Sequence, residues 1–426
     1  MPEFIREKVR LTPIGKRVEV LVAGGGPAGI GAAVASSRCG ARTLLVERLG
    51  FVGGMLTAGG VRNMRTFTDG TGQAIIRGIP YEFAEYLKKN GAARGCQEKD
   101  AFIQQNPELT SYLATEFVLS SGAGLLLHSV VVDVIKKGDR IGGVIVENKS
   151  GRQAILSEVV VDCTADGDVC RQAGAKMRKE SVMPMTMTFS LENVSAWPLV
   201  RTPEIYQAFR RHLKDYPLPS HSLALFALPE KGLVYANVTR VFGDASQVED
   251  LTRAEIEGRR QVMKAIEFYR KYLPGYQGAR LRSFGIEIGT RESWRLVGRY
   301  TLTARDVLSG RDFPDVIARA AYGIDVHDSH GPGSTMIHLK PGTSYAIPYR
   351  CLLPEKIEGL LVAGRCLSAS RKALASCRVM VTCMATGQAA GVAAALASQK
   401  RVLPSQLDVS SLQQHLLQQG VVLWKR

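Results

Sequence analysis

The chain has few of the features that would support sulfur, metal or membrane chemistry. Its eight cysteines (Cys39, Cys96, Cys163, Cys170, Cys351, Cys366, Cys377 and Cys383) form no CxxC pair, and none falls with histidine at zinc-site spacing. A dithiol redox centre and a metal site are therefore not expected. The thiols sit among small and apolar residues and read as packing residues of a protein kept in a reducing cytoplasm. No apolar run reaches the roughly 18 residues needed to span a bilayer. The opening stretch, MPEFIREKVRLTPIGKR, is charged and lacks the apolar segment of a secretory signal. Internal repeats and low-complexity tracts are absent.

What is present is one strong motif. Val18–Ala23 is a short apolar, β-branched run that reads as a buried strand. Gly24, Gly26 and Gly29 then form GxGxxG, with Pro27 and Ala28 inside it and Ala33 and Gly40 beyond. A second apolar strand, Thr43–Val46, ends in Glu47. This is the βαβ dinucleotide fingerprint. Gly24 permits the sharp turn, Gly26 lets a diphosphate approach the backbone, and Gly29 lets the helix pack on the sheet. The helix N-terminus offers free N–H groups to phosphate, and Glu47 suits ribose hydroxyls. An acid at that position argues against a 2′-phosphate on the cofactor.

Further along, Ile79–Asn90 and Leu109–Ser121 carry helical periodicity. Leu125–Ile135, Arg140–Asn148 and Gln153–Val161 read as a three-stranded meander, separated by turns at Lys137–Asp139 and Asn148–Gly151. The texture changes near Lys179. Met183–Phe189 and Gly232–Arg240 read as strands, Pro203–Tyr216 as a helix, and Thr252–Tyr272 as a long helix with a capping box from Thr252 and Glu255. Lys356–Ala363 (KIEGLLVA) reads as a returning strand, Arg378–Ser398 as an Ala/Gly-rich helix, and Leu412–Trp424 as a helix and strand.

On these residues the chain resembles the bacterial FAD-dependent oxidoreductases of the glutathione-reductase-like type. Four stretches carry the likeness: Gly24–Glu47 with Gly53-Gly54-Met55; VVVDCTADGDVCRQAGA at Val159–Ala175; GTRESWRLVGRYTLTARDVLSGRDFPDVIARAAYGIDVHD at Gly289–Asp328; and LLVAGRCLSASRKALASCRVMVTCMATGQAAGVAAALA at Leu360–Ala397. The family usually has glycine where Ala165 stands. The resemblance implies an extended FAD. Its AMP half would lie on Gly24, Gly26, Gly29, Glu47 and Arg48, with adenine near the backbone of Val130 and the edge near Ala165 and Asp168. Its flavin would meet Gly53, Gly54, Met55, Gly364 and Arg365, and a helix starting near Arg378 and Met380 would point at its pyrimidine edge. A disulfide reductase of this type would carry a second GxGxxG and a CxxxxC pair. The chain has neither, so the resemblance implies a substrate lying directly on the flavin.

Candidates for chemistry should sit where the two halves meet. Arg291, in Gly-Thr-Arg-Glu, suits bidentate binding of a planar anion, or else a local ion pair. His327, in Ile-Asp-Val-His-Asp, suits proton transfer, or else a structural hydrogen bond. His330 and Arg240 are weaker candidates of the same kinds, and His128 on the meander reads as structural.

These readings combine into an α/β protein. A Rossmann-like FAD-binding domain with a three-stranded meander would occupy residues 1–178 and, as a return segment, 346–426. A mixed α/β substrate domain would occupy 179–345, with 281–345 lining the junction. The expected function is hydride transfer between flavin N5 and a small, perhaps anionic, organic substrate. Electrons would pass on to oxygen, a quinone, a carrier protein or nicotinamide. The net charge of +16, with fourteen Lys/Arg against eight Asp/Glu between Leu251 and Ala320, fits an anionic substrate. It also keeps open an RNA-modifying flavoprotein and a quinone-linked peripheral membrane dehydrogenase. The basic residues are scattered without aromatic interleaving, which speaks against nucleic acid.

Overall fold

A computed structural model describes residues 5, 8–95, 103–180, 183–214, 218 and 220–425. Cys96 and the end of the expected helix at Tyr216 lie outside the described residues.

The strand Ile14–Ala23 is followed by the helix Pro27–Arg38 and the strand Thr43–Val46. It pairs in parallel with Thr43–Val46 on one edge and with Gly151–Asp162 on the other, Val20 standing opposite both Thr43 and Val159. Gly124–Leu126 extends this parallel sheet beyond Thr43–Val46. The twelve-residue strand Gly151–Asp162 does two jobs along its far edge. Its first half pairs antiparallel with Arg140–Asn148, and its last residues pair in parallel with the returning strand Leu360–Val362. Arg140–Asn148 in turn pairs with Val130–Lys137, which completes the meander.

The expected single strand Leu125–Ile135 is two strands, Gly124–Leu126 and Val130–Lys137. His128 breaks it, with a left-handed φ of 52°, and this lets the chain leave the parallel sheet and enter the meander.

Two helices cross over the sheet with almost no side chain between them. A Cβ on Gly387 would stand 2.0 Å from the Ala28 carbonyl oxygen, and one on Gly391 2.2 Å from that of Ala32. The Ala/Gly composition of Met380–Lys400 is thus the condition for this close approach. By length and composition this helix could cross a membrane, although Thr, Ser and Gln interrupt its apolar run. Its most apolar stretch is 94% buried inside the protein.

A second core, from Met185 to Ile288, lies under a four-stranded antiparallel sheet. The strand order is Leu225–Ala227, Val234–Ala236, Phe189–Glu192, Arg280–Phe284. The helix Val248–Tyr272 contributes Ala254, Val262, Ala265, Phe268 and Tyr269 to this core. It begins one turn earlier than Thr252, whose hydroxyl donates to the Val248 carbonyl at 2.8 Å, so no capping box forms there. Met183–Phe189 is extended but makes only isolated bridges at Met185 and Thr186, and the ladder starts at Phe189. The short strands Val316–Ala320 and Tyr345–Pro348 pair with each other and join the core of the parallel sheet. The C-terminal helix spans Val409–Gln418 and no strand follows it among the described residues.

Candidate active site

A cleft of about 390 Å³ opens between the Gly24–Gly29 turn and the four-stranded sheet. One wall is built by the dinucleotide fingerprint and by the returning segment. Gly26, Pro27, Ala28, Met55, Ala165, Gly364, Arg365, Arg378 and Met380 all line it. A Cβ on Gly26 would meet nothing within 4 Å, whereas one on Gly29 would lie 1.8 Å from the Gly24 carbonyl oxygen. The turn is therefore pressed tightly onto its own helix yet open toward the cleft. Gly24 adopts φ +96° to make it.

The loop of Gly53, Gly54 and Met55 is tied beside this turn. The Gly53 N–H donates to the Gly25 carbonyl at 2.7 Å, and a Cβ on Gly54 would stand 2.9 Å from the Gly26 Cα. Glu47 is buried. It accepts from the Gly25 N–H at 2.6 Å and from the Leu49 N–H at 2.9 Å. The carboxylate thus fixes the glycine turn and retains acceptor capacity for further donors.

Other expected contacts sit differently. Both arms of the Arg48 guanidinium close on the Glu287 carboxylate, one at 2.5 Å. Arg48 is therefore a strap between the two cores and not a free cation. Val130 lies outside the cleft and is half exposed, though its neighbour Ser129 donates to the Glu47 carbonyl at 3.0 Å. Asp168 opens the helix Asp168–Ala173 and stands 3.7 Å from Arg171. The buried Asp162, at the end of its strand, organises this stretch. It accepts from the Thr164 N–H and hydroxyl and from the Cys170 N–H. Ala165 adopts φ +68°, a conformation in which glycine carries no penalty.

Arg378 ends the helix Arg371–Cys377, and the long helix starts at Met380, two residues later than expected. No side chain caps it at Val379, and none caps Pro27–Arg38 at Gly26. Two helix N-termini therefore bring free N–H groups and partial positive charge to one cleft. Arg365 donates to Asp166 at 2.6 Å and to Ser293 at 2.8 Å. The Asn63 side-chain oxygen and the Arg378 Nε are buried without a hydrogen-bond partner. An open Gly26, two uncapped helices and orphaned polar atoms suit a diphosphate-bearing nucleotide with a flat polar ring.

The opposite wall carries Tyr235, Asn237, Arg240, Arg291, Asp325 and His327. Arg291 donates through one arm to the Pro184 carbonyl at 2.8 Å and the Thr186 hydroxyl at 2.5 Å. Its other arm makes only a long contact, 3.4 Å, with the Asn237 side-chain oxygen. Burial first, then the charges of Arg378 and Arg240, lower the Arg291 pKa to about 10. It remains a cation at neutral pH, held where positive charge is unfavourable.

Ile324–His327 and Ser334–Ile337 form an antiparallel hairpin, and Arg240 braces its loop, donating to the Gly331 and Gly333 carbonyls at 2.7 and 2.6 Å. Its second arm lies 3.1 Å from the His327 Nδ1. Because guanidinium can only donate, Nδ1 must accept, which puts the imidazole proton on Nε2, 3.5 Å from an Asp325 carboxylate oxygen. Both ring nitrogens of His327 are thereby engaged. Burial first and the Arg291 charge second lower its pKa to about 4, with Asp325 opposing. Burial disfavours the charged form of Asp325, but His327, Arg378 and Arg291 outweigh this and hold it below the usual carboxylate range. His330 is exposed, its N–H donates to Asp328 at 3.0 Å, and it lines a shallow neighbouring depression instead of the cleft.

The neutral His327 has a consequence for stability. Its folded pKa of about 4 lies below the ordinary 6.5, so between these values the unfolded chain binds the extra proton. Stability therefore falls on acidification from pH 6.5 toward 4. Thermal unfolding of the wild type should lose more over that window than unfolding of His327→Gln.

Reading the sequence alone missed Tyr235, Asn237 and Asp325 as cleft residues. Tyr235, in the strand Val234–Ala236, and Asn237 and Thr239 just beyond its end alternate along the segment expected as the strand Gly232–Arg240, and all three line the cleft. That period-two polar pattern was the available signal.

Residues 19–416 match the sequence model of the family described as FAD dependent oxidoreductase. A thiamine thiazole synthase of Aeropyrum pernix is 33% identical over 132 residues, covering 30% of this chain and 44% of that protein. One of Methanococcus vannielii is 28% identical over 155 residues, covering 34% and 56%. The chain spans about half the length of these curated relatives. A geranylgeranyl bacteriochlorophyll reductase-like protein from Thermoplasma acidophilum superimposes with a TM-score of 0.48 at 13% identity, over 96% of this chain and 84% of that one. Since the family match takes in both walls of the cleft and nearly the whole chain, the protein belongs to the FAD-dependent oxidoreductase family and uses FAD as its cofactor.

Proposed function

We propose that the protein exchanges a hydride between flavin N5 and a small organic anion held against the flavin in this cleft. The observation that carries the reading is the charge of the lining. Five arginines, Arg65, Arg240, Arg291, Arg365 and Arg378, line the cleft against one carboxylate, Asp325. Positive charge concentrated in a partly desolvated space attracts and orients an anion.

Gly26, the two helix N-termini, Gly364 and Arg365 would hold FAD, which supplies the two-electron acceptor or donor. The remaining steps fall to side chains of the opposite wall. Arg291, with one arm free of strong partners, binds the substrate anion. Arg240 and Asp325 hold His327 in one tautomer, and burial with the Arg291 charge keeps it neutral, so His327 holds its strand in place and takes up no second proton at neutral pH. Met55, Val61 and Phe226 add apolar lining that limits water around the reacting carbon.

The test is anaerobic rapid mixing of the holoenzyme with a reducing substrate and with its form deuterated at the oxidised carbon. A slowed flavin reduction by the deuterated substrate supports hydride transfer. Equal rates at saturating substrate, with reduction shown to be the observed step, refute it.

A further inference from the structure

Tyr235 sits mid-strand in Val234–Ala236, opposite Ser190 on one neighbouring strand and Phe226 on the other. Its ring stacks on Phe226 with centroids 5.9 Å apart. The residue is 1% exposed and lines the cleft. Its hydroxyl is buried without a well-formed hydrogen bond, with the Arg62 N–H and the Asn237 side chain as its polar neighbours, an arrangement that is unfavourable unless something in the cleft accepts its hydrogen. Burial raises the phenol pKa far above its ordinary value, against the opposing charges of Arg291 and Arg62. The group is therefore a fixed donor. Two residues on, just past the end of the strand, Asn237 faces the weakly engaged arm of Arg291 at 3.4 Å.

We propose that Tyr235 is a specificity-determining residue that donates its phenolic hydrogen to a second oxygen of the substrate while Arg291 binds the carboxylate. The substrate class is then a small carboxylic acid bearing a carbonyl or hydroxyl oxygen besides the carboxylate. This rests on the anion reading of the cleft and narrows it. A simple fatty or aryl acid would satisfy Arg291 and leave the phenol unpaired. An oxo or hydroxy acid satisfies both, and a site built to hydrogen-bond an oxygen discriminates strongly against the analogue that lacks it.

The experiment is calorimetric titration of the FAD-loaded protein with two matched pairs, pyruvate with propionate and phenylpyruvate with 3-phenylpropionate. The wild type, Tyr235→Phe and Arg291→Gln would each be titrated, with thermal unfolding as the control for folding. The wild type should bind the oxo acid of at least one pair roughly tenfold tighter than its deoxy partner. Tyr235→Phe should erase that difference and leave deoxy-acid binding unchanged. Arg291→Gln should weaken every acid. If acids bind through Arg291 but Tyr235→Phe retains the preference, or the wild type shows none, this inference fails. If no acid binds the wild type, the anion reading fails with it.

Discussion

Gly26→Val is expected to give a folded protein that purifies without FAD. The position tolerates a side chain as far as the protein alone is concerned. Gly26 has φ −70° and ψ −173°, an extended conformation that suits a β-branched residue. An added Cβ would meet no protein atom within 4 Å. The space it would fill is the one the diphosphate needs. Affinity for FAD should fall on the order of 100-fold or more, while far-ultraviolet circular dichroism stays that of the apo wild type. Gly29→Ala is the contrasting substitution. Its Cβ would lie 1.8 Å from the Gly24 carbonyl oxygen, so it should lower thermal stability before cofactor binding is even considered. Equilibrium FAD titration beside unfolding of both apo variants separates the two effects. Retention of wild-type FAD affinity by Gly26→Val would contradict the placement of the diphosphate.

Arg291→Gln should lower kcat/KM for the anionic substrate by about 100- to 1,000-fold, equivalent to about 3–4 kcal/mol for a buried charge-assisted contact. The variant should fold well. Glutamine can keep a donor toward the Pro184 carbonyl and the Thr186 hydroxyl, which the wild-type guanidinium serves at 2.8 and 2.5 Å. It also relieves the repulsion among Arg291, Arg378 and Arg240. A modest rise in thermal stability is therefore expected together with the loss of activity, a pattern common where strain is kept for function. Steady-state kinetics and a melting curve on the same preparation test both. A variant that loses stability and activity in parallel would mark Arg291 as a structural brace.

The cofactor half of this site was legible because its determinants are local. Strand, glycine turn, helix and acidic terminus fall within Val18–Glu47, and each acts through its own backbone. The meander and returning strand were legible for the same reason. What escaped was set by tertiary contact. The break at His128 depends on a left-handed residue that nothing in the run Leu125–Ile135 signals. The Thr252 capping pattern was overridden because the preceding turn, Val248–Leu251, also finds helical geometry. On the cleft's polar wall Arg240, Arg291 and His327 were expected, but Tyr235, Asn237 and Asp325 were not, because the segments around 235–240, 291 and 325–327 are brought together only by the tertiary fold. Arg48 was read as a nucleotide contact because its partner, Glu287, lies 239 positions away.

The proposed function requires that one cleft bring an anionic substrate onto a bound flavin. It is tested most directly by anaerobic absorbance of the FAD-loaded protein during addition of small oxo- and hydroxy-acids and of their neutral methyl esters. The hydroxy acid should bleach the visible flavin band, and its ester should do so at least ~100-fold more slowly, as loss of the Arg291 contact requires. Equal bleaching by acid and ester, or a colourless protein that cannot be loaded with FAD, would contradict it.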